Sequence, residues 1–89
     1  MNTFFALMAE YGTAQIPLER CAHLFGLSKE EAAKRANRQA LPVPAFRVGS
    51  QKAPWLVDAA KLASHLDELK VQAARDWHRI NQGATRVQH

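Results

Sequence analysis

Four glycines and four prolines punctuate this chain of 89 residues, and their positions restrict it more than any other feature does. Gly12 and Pro17 bracket one connection, Gly26 marks a second, Pro42 and Pro44 a third, and Gly49 and Pro54 a fourth. Glycine and proline favour turns and helix ends, so no helix longer than about a dozen residues fits before residue 55. After Asp58 there is no proline, and Gly83 is the next glycine. A series of short elements followed by one long helix is therefore expected.

The pieces between the breaks carry their own signals. Phe4, Phe5, Leu7 and Met8 give residues 3 to 11 an apolar run compatible with a buried strand or a short helix, of which the helix is preferred. Pro17 suits the first turn of a helix, and Leu18, Cys21, Ala22 and Phe25 then fall on one helical face that Gly26 ends. Ser28-Lys29-Glu30-Glu31 has the form of a capping box: Ser28 accepts from the amide of residue 31 and Glu31 reaches back. The helix it opens is expected to reach about Ala40, with alanines inward and cations outward. Ala45 to Val48 alternates as a strand does, and Trp55 to Val57 is a second β-prone run, with the basic segment Gly49 to Pro54 between them. From Ala59 the pattern is helical to Gly83, with Asp58 as N-cap and residues 84–89 as a flexible tail.

Function enters through spacing and charge. Ala22, Gly26, Leu27 and Ser28 fit a helix-turn-helix: a small residue for close approach, a glycine for the turn and an apolar plug in the angle. An ordinary αα-hairpin in a bundle uses the same residues, but the hairpin and further helix that follow favour a winged arrangement. The fold class expected is mainly α with a small β-hairpin, a winged helix-turn-helix followed by a long C-terminal helix. Residues 1–70 form the DNA-binding domain and 71–83 an extension for dimerisation.

A formal charge of +4 and an isoelectric point near 9.7 attract polyanions, with nucleic acid first among them. The second helix would present Lys29, Glu30, Lys34, Asn37 and Arg38 to the major groove. Base readout is open to Arg35, Asn37, Arg38 and Gln39, since Arg suits guanine and Asn or Gln suits adenine. Ser28 and Lys29 lie at the helix start; Arg47, Ser50, Gln51 and Lys52 in the wing are suited to phosphates or the minor groove, although a solvated turn has similar residues.

Enzyme chemistry is not expected. The histidines at 23, 65, 78 and 89 form no metal-ligand couple, there is no Gly-rich phosphate loop, and neither Ser50 nor Cys21 has an evident base. One cysteine excludes an internal disulfide, which suits the cytoplasm, and the N-terminal run fits neither a signal peptide nor a membrane span. No cofactor or metal is called for. A helix from 59 to 82 would be about 36 Å long. Its outer residues Leu69, Ala73, Trp77 and Ile80 are either the rim of the core or a homodimer interface, the latter preferred.

The stretches Asn2 to Gly12, Ile16 to Glu19, Leu41 to Arg47 and Ser50 to Trp55 resemble the pyocin activator (PrtN-type) family, with the last stretch the most specific. The likeness spans roughly residues 1 to 70. It implies a transcription activator that binds promoter-proximal DNA and switches on bacteriocin or prophage genes, working with RNA polymerase. More distantly, residues 18 to 66 are similar to AlpA-type and excisionase regulators, within a MerR/excisionase-like topology. That likeness implies an architectural factor as the rival role. An antirepressor-type protein-interaction module is the alternative from a different class.

Overall fold

The computed structural model of the protein describes residues 2–88, with 83–88 as helical backbone only. It is mainly helical, with one three-stranded antiparallel sheet and a long C-terminal helix. Helix α1 (Thr3–Tyr11) opens with the Asn2 side chain accepting from the Phe5 amide at 2.8 Å and closes at Gly12, whose φ of 72° returns its amide to Met8. The preferred helical reading of this run holds. Leu7 and Tyr11, one turn apart, are its buried residues.

The next element was not expected. Gln15–Pro17 is a strand, β1, pairing with β3 (Leu56–Asp58) through Gln15–Asp58, Ile16–Val57 and Pro17–Leu56. Strand β2 (Ala45–Phe46) pairs with the other edge of β3, so the sheet order is β1-β3-β2. Pro17 accordingly ends a strand before it introduces a helix. Amide bonds from Leu18 to the Trp55 carbonyl and from Ala59 to that of Ala14, both 2.8 Å, extend the β1–β3 ladder at either end. The central position of β3 explains why Val57 is completely buried.

Helix α2 (Leu18–Cys21) tightens into a 3-10 turn over Ala22–Phe25, and Gly26 ends it with φ 73°. Ser28 then caps α3 (Lys29–Asn37) by accepting from the Glu31 amide at 3.2 Å. The second half of the expected capping box is replaced: Glu31 reaches forward to Arg35, 3.8 Å away, instead of back to Ser28. Helix α3 also stops three residues before Ala40. Gln39 takes a left-handed conformation with φ 54°, its amide bonding Ala36 while that of Ala40 bonds Arg35. These two bonds are the Schellman closure, formed here with glutamine where glycine is usual.

The hairpin strands are shorter than Ala45–Val48 and shifted relative to Trp55–Val57. Arg47 leaves the ladder with its guanidinium 4.3 Å from the centre of the Trp55 ring. Asp58 is the last residue of β3, faces Gln15, and leads directly into α4 (Ala59–Gln88). The helix continues past Gly83, where a stop was expected, to Gln88; the side chains of the expected tail 84–89 lie outside the described residues.

The core gathers one to three residues from every element. Ile16, Cys21, Ala32, Val57, Ala59 and Leu62 are fully enclosed, and Leu7, Leu18, Ala36 and Val43 close around them. Ala32 and Ala36 are small enough to bring α3 close to α2, as the spacing implied. Cys21 sits in this core, where burial pushes its thiol up to about 11. Helix α1 packs on the first half of α4, and the Thr3 hydroxyl bonds Asp67. Beyond that contact α4 extends away, making the molecule 62 Å long but only 28 and 16 Å across.

Candidate nucleic-acid interface

Because α3 commits Ala32 and Ala36 to the core, the helical repeat dictates what its other faces carry. Glu30, Lys34, Asn37 and Arg38 are exposed on the outward side. Lys29 and Ala33 lie one turn apart on the flank turned towards the hairpin loop, and Asn37 follows at the same spacing. With Leu18, Glu19, Pro54 and Trp55, these two line a groove of about 190 Å³ between α3 and the loop. Arg35 lies on the opposite flank, half-exposed beside Glu31, and is therefore less free than the sequence suggested. Ser28 is spent on the cap; Gln39 projects from the left-handed turn beyond Arg38.

The loop between β2 and β3 has its own construction. Gly49 supplies a φ of 95°, after which the Ser50 carbonyl accepts from the Ala53 amide at 3.0 Å and the Ser50 hydroxyl from the Lys52 amide at 3.2 Å. Ser50, Gln51 and Lys52 consequently stand exposed at the tip. Arg47 does not join them. It is half-buried against Trp55, and neither the Arg47 Nε nor the Trp55 Nε1 has a hydrogen-bond partner among the described residues. The stacking orients a planar cation and stiffens the loop base at once. Sequence reasoning placed Trp55 on a strand but gave it no part in the site; no local pattern signals a contact across seven intervening positions.

Charge separates this surface from the remainder. Residues 29–52 hold six Lys and Arg against two Glu, while the other residues carry six of each sign. The entire net charge of the chain thus resides in α3 and the loop. Among the described residues no group of three His, Cys, Asp or Glu side chains is placed to hold a metal, and no helix is long and apolar enough to cross a membrane.

The four residues expected at a dimer interface lie well away from this basic surface, on the outer half of α4. Leu69, Trp77 and Ile80 are 50%, 60% and 64% exposed, and Ala73 is exposed between them. They form no part of the core rim.

Fold and surface together define a small, mainly helical protein with one three-stranded sheet and its excess of cations on a single helix and loop. Residues 3–73 match the family model of the pyocin activator protein PrtN, and the chain belongs to that family. The resemblance drawn from the sequence is met by this match, which runs from α1 through the sheet into the middle of α4. No curated protein and no solved structure matches the chain.

Proposed function

We propose that this protein is a sequence-specific, double-stranded-DNA-binding transcriptional regulator, an activator of bacteriocin or prophage-type genes, and not an enzyme. In this reading α2, the Gly26 turn and α3 act as a helix-turn-helix, and the β2–β3 loop is its wing. Residues 28 to 39 enter the major groove with Lys34 towards the backbone, and Ser50, Gln51 and Lys52 reach flanking phosphates. Asn37, Arg38 and Gln39 are the candidates for base edges. Arg47, held on Trp55, shapes the wing as much as it charges it.

The observation that carries the reading is the confinement of the net charge to α3 and the loop, since a polyanion is drawn to a concentrated field more than to a diffuse one. Dimerisation through α4 would let two copies read paired half-sites, and such a regulator works in the cytoplasm, where RNA polymerase is a further partner. Replacing Lys34 and Arg38 together by alanine tests the assignment. Both are exposed, so stability should change by less than about 0.5 kcal/mol per site. Duplex affinity should collapse; unchanged affinity would remove α3 from the interface.

A further inference from the structure

Two acidic residues interrupt the basic surface of residues 29–52, and although adjacent they are differently employed. Glu31 pairs with Arg35 on the flank of α3, at 3.8 Å. The Glu30 carboxylate is exposed and makes no ion pair or hydrogen bond among the described residues. Lys34 stands four residues along from it, the spacing that joins Glu31 to Arg35, yet the pair is not formed. An acid in the first turn favours a helix through the peptide dipoles, but Glu31 occupies the same turn and already supplies that effect.

The helical repeat fixes the direction in which Glu30 leaves the helix. Ala32 and Ala36 mark the buried face. At about 100° per residue, Glu30 lies about 140° round the axis from their mean, and within about 20° of Asn37, two turns further on. Glu30 thus shares the outward line of a residue already assigned to base edges. It also stands at the end of α3 whose residues contact bases when such a helix enters the major groove.

A carboxylate offered to a duplex is repelled by the phosphates, so it lowers affinity wherever it finds no donor. On the major-groove edges the donors are the N4 amino group of cytosine and the N6 amino group of adenine. Adenine sets its N7 acceptor beside that amino group, and an acceptor repels a carboxylate; cytosine carries none on this edge. Guanine O6 and N7 and thymine O4 are acceptors alone. A free acid on this surface therefore favours one base and opposes the other three, which is discrimination by attraction and repulsion together.

We propose that Glu30 is a specificity-determining residue that selects cytosine at one position of the bound site by accepting from its N4 amino group. This rests on the helix-turn-helix reading above and adds to it one residue and one base. Its task is the reverse of that of the neighbouring cations: they hold any duplex, and Glu30 rejects those that lack cytosine at its position.

Selection of bound duplexes from a random pool, run with the unaltered protein, Glu30→Ala and Glu30→Gln, tests the assignment. The side chain is exposed, so both variants should keep the fold by circular dichroism. The unaltered protein should return a motif with one cytosine whose replacement weakens binding about tenfold or more. Glu30→Ala should accept all four bases at that position to within about threefold while keeping the remainder of the motif. Glu30→Gln should extend the preference to adenine, through paired bonds to N6 and N7. Both variants should bind duplexes of unrelated sequence more tightly, because a repelling charge has gone. The same motif from Glu30→Ala, even with a uniform gain in affinity, would overturn the role of Glu30 and leave the DNA-binding reading standing. No selected motif from the unaltered protein would overturn both.

Discussion

The two halves of α4 are built from the same kinds of residue and meet opposite fates. Leu62 in the first half is fully buried under α1 and the sheet, whereas Leu69 and Ile80, on the continuing face of the same helix, stand mostly in solvent. Composition and period do not distinguish them. What differs is supply: a domain of this length has only short helices and a small three-stranded sheet with which to cover a long helix, and those that reach it are exhausted by about Leu66. Apolar period therefore says which face of a helix seeks cover, and the rest of the chain decides how far that cover extends.

The contrast can be broken from either end. Leu62→Ala removes a fully enclosed side chain and should cost about 2 to 5 kcal/mol in chemical denaturation, enough to unfold much of a small domain. The matched change Trp77→Ala should alter the stability of the monomer by less than about 0.5 kcal/mol in dilute solution, because the side chain loses no cover there. A large loss of monomer stability would mean that the outer half belongs to the core after all.

Between these extremes lies Gln39, whose backbone serves the fold while its side chain is held out from it. A left-handed conformation costs a non-glycine residue about 1 kcal/mol or more. Gln39→Gly should raise stability by about that amount in the same denaturation experiment. If it also weakens duplex binding, the side chain is retained for contact at the expense of the turn. If binding is unchanged, Gln39 leaves the list of base-reading residues.

The same division between local and long-range causes explains what could be read from the sequence. The Ser28 cap, the Gly26 turn and the inward alanines of α3 are short-range features, and each was legible because its partner lies within a few residues. Strand β1 was not. Gln15-Ile16-Pro17 is too short to show an alternation, and its reason for being extended is Val57, far along the chain. The end of α3 was misplaced because no glycine or asparagine announces its left-handed residue. Within the candidate site, the exposed cations of α3 and the loop tip lie on the surface as expected. The restraint of Arg47 by Trp55 and of Arg35 by Glu31 depends on geometry that residue types do not encode.

Duplex binding measured against salt concentration tests the central claim most directly, since counterion release counts phosphate contacts irrespective of the operator sequence. Each phosphate neutralised contributes about −0.9 to the slope of log affinity on log salt, so use of all six cations in residues 29–52 gives a slope of about −5. A steep slope of that order is the predicted result. No duplex binding at low salt, or an affinity nearly indifferent to salt, would contradict it and turn the basic surface into an incidental feature of a protein-interaction module.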